Sequence, residues 1–438
     1  MTNWTKYGSA IPSAILWITL WVSGAGAQEA LPLTDTPKID TGDTAWVLAS
    51  SALVMAMTLP GLALFYGGLV RTKNVLGTIV QSAVILCVVS LVWVLWGYSL
   101  AFGPDKAQLV GGLEWLALND VGSEPSPVYG TTIPHQAFMI FQLMFAAITA
   151  ALITGAFAER MKFSAVILFS ILWSTLIYSP LAHWIWGGGW LAKMGALDFA
   201  GGAVVHISSG FGALACALVL GKRSGYGIDY MGPHNLPMTV LGTGLLWFGW
   251  FGFNAGSALG ANATAAGAFL ATHTAAAAAA LSWMTVEWLH RGKPTVLGVA
   301  SGIIAGLATI TPGAGFVGPL SAMLIGLAAG AVCYTAVFWK SHLGYDDSLD
   351  VVGIHGIGGI TGILATGLFA SVGAKGLFFG NPSQLGIQAI TALVTVAFCF
   401  VGTYVILKMV DGVVGLRVSA EQEELGLDLS QHNERGYS

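Results

Sequence analysis

The sequence carries little charge: Asp, Glu, Lys and Arg make up 9% of its 438 residues, against roughly a quarter in a soluble globular domain. This scarcity excludes an ordinary water-soluble fold, and without a basic patch the chain offers nucleic acid no binding surface. Hydrophobic residues make up 55% of the chain and recur in runs of about 20 residues, the length of a helix that crosses a bilayer. The sequence therefore predicts an all-α membrane protein that spans the bilayer many times.

Cysteine is also scarce. The four cysteines, Cys87, Cys216, Cys333 and Cys399, all lie in apolar runs, and none forms a CxxC pair. Such cysteines behave as small hydrophobic side chains. We therefore expect them to be buried, without a disulfide or a metal.

The N-terminus has the features of a secretory signal peptide. Lys6 precedes a short apolar stretch over residues 11–22, and Ala25-Gly26-Ala27 provides a cleavage pattern. Residues 1–27 are therefore predicted to be removed, which leaves the mature N-terminus at Gln28 outside the membrane. A twelfth spanning helix is the weaker alternative, because the apolar stretch is too short.

Residues 28–410 are predicted to contain eleven transmembrane helices, followed by a cytoplasmic tail over residues 411–438. The spans cover roughly residues 44–69, 75–102, 133–157, 163–184, 200–220, 238–257, 265–288, 295–311, 316–339, 351–373 and 385–410. With the N-terminus outside and the C-terminus inside, twelve Lys and Arg residues lie in cytoplasmic segments and four in outer segments. This asymmetry is the expected bias of basic residues toward the cytoplasm.

The spans also contain an internal repeat. Asp198 lies eight residues before His206, and Asp347 lies eight residues before His355. ALFYGG in the first span similarly matches FGFNAG in the sixth. The pattern is five spans, five spans and one more. Because five is odd, the second copy is predicted to be inverted, with the substrate route at the interface of the two copies.

His206 and His355 are the first candidates for function. Each lies in an apolar, glycine-rich segment, as in VVGIHGIGGI over residues 351–360. An ionisable side chain at membrane depth is costly and marks a pathway by default. The repeat makes the two histidines equivalent, so their rings are predicted to face each other. The alternatives are simple bonding to backbone carbonyls, or axial haem ligation, for which a glycine face leaves little room.

Aromatic side chains form a second signal. Phe141 and Phe145 lie in the third span, a tryptophan cluster ends the fourth, and Ser257 follows the aromatic segment of the sixth. Many membrane aromatics belong to the interfacial belt, but aromatic faces with a hydroxyl acceptor also suit a small cation. No charge is predicted at mid-membrane, so a bare ion cannot cross cheaply. A cation with a small neutral form could cross by giving up its proton.

Three acids in an inner loop, Asp346, Asp347 and Asp350, resemble a divalent-metal cluster. Their position favours a helix N-cap and a loop scaffold instead. No metal site, other cofactor or enzymatic activity is predicted.

Several long segments together resemble the ammonium transporter (Amt) family of the Amt/Mep/Rh superfamily, bacterial Amt type. They are ALVMAMTLPGLALFYGGLVR, GAFAERMKFSA, HWIWGGGWL, GALDFAGGAVVHISSG, WFGWFGFNAGSA, EWLHRGKPTVLG, ITPGAGFVGP and DDSLDVVGIHGIGG. The resemblance covers Asp43 to the C-terminus. It implies eleven spans, an inverted five-helix repeat and a homotrimer with one pore per subunit. It also implies ammonium uptake across the bacterial inner membrane, with methylammonium as an analogue.

The resemblance assigns roles to individual residues. Phe141, Trp186 and Ser257 would form an outer ammonium recruitment site, and Phe145 and Phe253 a stacked gate beneath it. His206 and His355 would be the twin histidines of a hydrophobic ammonia pore, and Asp198 a structural acid near the outer site. The chain reads HISSG where the family usually has HINAG or HINSG, but Ser208 points off the histidine stripe, so little consequence is expected.

The histidine pair favours coupled proton movement, which would make transport electrogenic. A Rhesus-like neutral gas channel and an ammonium sensor are the alternatives, although the short tail leaves no room for a signalling module. In the tail, Ser419 and Glu421 predict a short capped helix. A helix so acidic gains little from an anionic lipid surface, so it is expected to dock on the inner loops. The family resemblance adds a PII signal-transduction protein as a partner there.

Overall fold

The structure, a computed structural model, describes residues 38–437. The predicted signal peptide and the mature terminus at Gln28 lie outside the described residues. From Lys38 onward the chain forms one compact unit, built almost wholly from helices. One short hairpin, with β1 at Asp105–Lys106 and β2 at Val110–Gly111, is the exception within the described chain.

Ten described helices are long and apolar enough to cross a membrane, and one further apolar helix is shorter. In chain order they are α1 Thr41–Leu69, α2 Thr72–Phe102, α3 His135–Phe157, α4 Phe163–Met194, α5 Gly202–Leu220, α6 Leu236–Ala255, α7 Ala263–Arg291, α8 Val296–Ile310, α9 Pro319–Leu343, α10 Val352–Phe369 and α11 Pro382–Val414. The short helix is α8. The predicted all-α membrane fold is confirmed, and the helices are compatible with eleven spans.

One pair of wide helical turns follows the predicted repeat. A π-helical turn occurs in α5 at Gly202–Ile207 and in its counterpart α10 at Val352–Ile357. Such turns widen a helix locally and are common at functional sites. Here the two wide turns contain His206 and His355.

Contacts between α5 and α10 are reciprocal, as a pseudo-twofold axis requires. A Cβ atom on Gly210 would lie 2.2 Å from the Cα of Gly356, and one on Gly359 would lie 2.9 Å from the Ile207 nitrogen. Gly359 and Gly356 are the repeat equivalents of Gly210 and Ile207. Glycine is therefore required at both crossing points, because any side chain would force the two helices apart.

The inner ends of the helices are joined by buried ion pairs. Arg223 forms a bidentate pair with Asp346, with both N···O distances at 2.9 Å. Glu159 bonds Arg71 at 2.7 Å and Arg223 at 3.4 Å. The two remaining inner acids have other partners: Asp347 accepts the Val352 N–H, and Asp350 pairs with Lys340. The predicted N-cap and scaffold roles match these contacts.

The C-terminal tail folds against the inner loops of its own chain. It forms two short helices, α12 Ala420–Leu425 and α13 Leu427–His432, and Ser419 caps the first with a capping box that includes Gln422. The capped helix was predicted. The preceding helix α11 runs to Val414, beyond the predicted end of the last span at residue 410.

One cysteine prediction is wrong. Cys216, Cys333 and Cys399 are buried, but Cys87 is exposed on α2. An apolar helix in a bilayer has an apolar outer face as well as an apolar inner face, so an apolar run does not show which side is buried.

Candidate functional site

A cavity of about 290 Å³ opens at the end of the helices that is predicted to face outward. Trp186, Phe145 and Ser257 line it, and so does Gln142. The cavity thus brings together aromatic residues of several segments and the predicted hydroxyl. No Asp or Glu side chain is among the residues that line it.

Trp186 is held in place by its own N–H group. The residue follows the last helical turn before the break in α4, and its indole Nε1 donates to the Asp198 carbonyl oxygen at 2.8 Å. This bond uses the polar edge of the indole and leaves its aromatic face available. The ring meets that of Phe145 edge to face, with centroids 5.8 Å apart.

Asp198 organises the backbone below Trp186. Its carboxylate accepts four backbone N–H groups, those of Gly201, Gly202, Ala203 and Val204, at 2.6–3.1 Å. Burial raises the pKa of Asp198, and the four N–H donors oppose that shift. Because all four donors point at the carboxylate, it holds the start of α5 and does not project into the cavity as a ligand. This contact agrees with the structural role implied by the family resemblance.

Ser257 is arranged as an acceptor. Its hydroxyl donates to the Phe253 carbonyl oxygen at 2.8 Å, so the lone pairs of the oxygen remain available to a donor in the cavity. Phe141 differs from the other predicted recruitment residues. It is fully buried and packs against Phe145 at a centroid distance of 4.9 Å, and it is not among the residues that line the cavity.

Two phenylalanines close the floor of the cavity. The rings of Phe145 and Phe253 lie 4.3 Å apart between centroids, and both residues are buried. At this distance no water-sized particle fits between the rings. Passage therefore requires one of the side chains to rotate.

The two histidines lie beyond this pair. Nδ1 of His355 and Nδ1 of His206 are 3.2 Å apart, and the rings are nearly parallel at 20°. One Nδ1 must carry a proton and the other must accept it. Nε2 of His206 is buried without a partner among the described residues. The predicted facing pair is therefore present in the structure.

Around the histidines the wall is apolar. A space of about 10 Å³ is lined by both imidazoles and by ten other residues: Met57, Leu62, Phe65, Ile148, Leu152, Val205, Leu246, Trp250, Phe253 and Ile304. A void of that size is at the lower limit for one water molecule. It suits a small neutral molecule and disfavours a bare ion.

Sequence reasoning missed two contributions to the site. Trp250 stacks on His206 at 5.6 Å between centroids, and its Nε1 donates to Thr311. Gln142 lines the outer cavity but was assigned no role from the sequence. A signal was present, because Gln142 lies three residues before Phe145 and so on the same face of α3.

Comparison with known proteins gives the family. The sequence model of the Ammonium Transporter Family matches residues 45–437. An ammonium transporter of Bacillus subtilis is 53% identical over 402 residues, with 90% of this chain and 98% of the relative covered. Ammonium transporter Amt1 of Archaeoglobus fulgidus is 51% identical, with 91% and 99% covered.

Solved structures agree. The crystal structure of Saccharomyces cerevisiae Mep2 superposes with a TM-score of 0.83 at 38% identity, covering 88% of this chain and 89% of that one. A structure titled Sensor Amt Protein gives the same TM-score at 32% identity, covering 89% of this chain and 98% of that one. The chain belongs to the ammonium transporter family.

Proposed function

We propose that the protein conducts ammonium by binding the cation in the outer cavity, removing a proton and passing ammonia through the apolar space beside His206 and His355. The observation that carries the proposal is the order of the three parts: a cation-suited cavity, a closed aromatic pair, and an apolar space with two facing imidazoles. A protein that only bound ammonium would need the first part alone.

In the outer cavity the cation meets the faces of Trp186 and Phe145 and the oxygen of Ser257. Cation–π contacts replace part of the hydration shell, while the absence of a lining carboxylate keeps binding weak enough for release. Phe141 supports Phe145 from behind. Phe145 and Phe253 then admit the substrate by side-chain rotation.

Beyond the gate, the charged form is disfavoured by the apolar wall, so the proton leaves and ammonia continues. The Nδ1–Nδ1 bond fixes complementary tautomers: one ring offers a bare Nε2, the other an Nε2–H. The pair can therefore take a proton at one edge and release one at the other. Coupled movement of this proton would make transport electrogenic.

The assembly and its regulation are proposed from the resemblance: a homotrimer in the bacterial inner membrane, bound by a PII protein at the cytoplasmic face. Basic residues and the docked tail surround this face. Membrane lipid covers the outer wall, where Leu91, Leu218 and Leu393 are exposed.

Uptake of radiolabelled methylammonium into liposomes containing the purified protein tests the proposal. We expect uptake above protein-free liposomes that ammonium competes away and potassium does not. Ammonium-displaceable binding without uptake would instead indicate the sensor alternative.

A further inference from the structure

The outer cavity contains one side chain, that of Gln142, whose amide forms no hydrogen bond with the described residues. Along α3, Phe138, Gln142 and Phe145 are spaced by four and three residues, so they share one helical face, and all three line the cavity. Gln142 is the polar member of an otherwise aromatic stripe. A polar side chain at this depth is a candidate for contact with the transported molecule.

The amide of Gln142 has no hydrogen-bond partner among the described residues. The residue is 9% exposed, and its Oε1 is buried and unpaired. Of the three other buried glutamines, two are bonded: Gln388 donates to Leu197 O at 2.7 Å, and Gln384 donates to Gly195 O at 2.9 Å. The third, Gln81, also has an unpaired oxygen, but it is not among the residues that line the cavity. Buried amides are normally bonded in this way. The free amide of Gln142 therefore needs a partner from the cavity.

The cavity offers fewer side-chain acceptors than ammonium can use. The cation has four N–H donors, and two hydroxyl oxygens are among the lining residues: that of Ser257, whose proton is given to Phe253 O, and that of Tyr129, whose proton is given to Gly187 O. The Asp198 carboxylate is occupied by four backbone N–H groups. Rotation of the terminal amide of Gln142 by 180° exchanges its oxygen and nitrogen, so the side chain can present its carbonyl to the cavity. Being neutral, that oxygen can hold the cation without trapping it.

We propose that Gln142 is a further hydrogen-bond acceptor for ammonium in the outer cavity and contributes to its selectivity over alkylated amines. This inference rests on the proposed transport function. Two acceptors on different helices, Gln142 on α3 and Ser257 after α6, require N–H groups in two directions. Ammonium always meets that requirement. An alkylated amine has fewer N–H groups and must turn its carbon away from both oxygens.

The test compares ammonium-evoked and methylammonium-evoked currents from liposomes containing the wild-type protein or a variant. Gln142→Met keeps the length of the side chain and removes the amide. Loss of a hydrogen bond to a charged group is expected to raise the half-saturating ammonium concentration by about tenfold. The rise for methylammonium is expected to be smaller, because its methyl group can contact the methionine. The half-saturating methylammonium concentration divided by the half-saturating ammonium concentration should therefore fall.

Gln136→Met is the matched control. Gln136 lies on the same helix, is exposed, and donates to the Val121 carbonyl oxygen. This variant should keep the wild-type ammonium saturation and the wild-type ratio.

Two results would overturn the inference. One is a wild-type saturation curve and ratio in a correctly assembled Gln142→Met protein. The other applies if that variant does not assemble. The Gln142→Glu variant adds a carboxylate acceptor and should lower the half-saturating ammonium concentration, so an unlowered concentration would reject the role. A wild-type protein without any ammonium-evoked current would instead reject the transport proposal itself.

Discussion

At the scale of single residues, the site depends on side chains whose polar atoms are already committed to the protein. The Trp186 N–H is bound to Asp198 O and the Ser257 hydroxyl proton to Phe253 O. The first bond directs an aromatic face, and the second directs a lone pair, toward the cavity. In the proposed mechanism neither group must reorganise when the cation arrives, which lowers the entropic cost of binding.

Replacing the indole of Trp186 tests this arrangement. Trp186→Leu removes one cation–π contact, worth on the order of 1 kcal/mol, so the half-saturating ammonium concentration should rise by about fivefold. Currents or methylammonium uptake measure it. Trp184→Leu is the control, because Trp184 is not among the cavity-lining residues and bonds Leu109 O instead. An unchanged concentration in Trp186→Leu would reject the recruitment role.

The functional pair could be predicted from sequence because its signal is short-range. The spacing of eight residues in Asp198–His206 and Asp347–His355 is visible in the chain, and the repeat then places the rings face to face. Gln142 could not be assigned this way. Its significance lies in hydrogen bonds that it does not make, and only the three-dimensional surroundings reveal that.

At the scale of structural elements, buried ion pairs fasten the inner helix ends. Arg223 and Asp346 are 123 residues apart in sequence and form a bidentate pair. Arg160, also buried, lies 3.9 Å from the same carboxylate. The sequence shows these arginines only as cytoplasmic charge, because partners so distant along the chain carry no local pattern.

Asp346→Ala should therefore be strongly destabilising. It leaves the Arg223 guanidinium buried without its bidentate partner, a change that typically costs about 3–5 kcal/mol. Thermal unfolding of the purified protein measures the loss. Glu114→Ala provides the contrast, because Glu114 pairs with Lys106 on the surface, where such pairs contribute little. Equal melting temperatures for the two variants would contradict the account.

The tail is the second element with a defined attachment. Glu423 is buried and accepts from the Ser224 N–H at 2.7 Å and from Arg417 at 2.7 Å. Asp428 accepts from the Gly77 N–H at 2.8 Å. The tail thus connects the start of α2 with the loop after α5. Docking was predicted from its acidity, but the individual partners were not.

Deleting residues 418–438 should leave the membrane fold intact while lowering transport or removing its inhibition by PII. The deletion frees the loop that begins α2 and the loop that follows α5 without changing the cavity or the histidines. Methylammonium uptake with and without a PII protein measures both effects. A Gly436→Ala variant, which alters the last residues only slightly, is the control. Wild-type uptake and wild-type inhibition in the deletion would show that the tail only solubilises the C-terminus.

At the scale of the whole molecule, the inverted repeat accounts for the position of the path. The equivalent helices α5 and α10 cross through glycines, and this close approach brings two imidazoles within 3.2 Å inside an apolar wall. The outer cavity lies before them. In the proposed mechanism, the fold thus separates the place where ammonium is bound as a cation from the place where ammonia crosses.

The most direct test of this separation is the current evoked by an ammonium pulse on liposomes that contain the His206→Ala, His355→Ala double variant, beside the wild-type protein. The account predicts a saturable current from wild type and none from a double variant that still assembles as wild type does. Undiminished current in the double variant would contradict the relay. Accelerated internal alkalinisation without any current in the wild type would contradict coupled proton movement and favour a neutral gas channel.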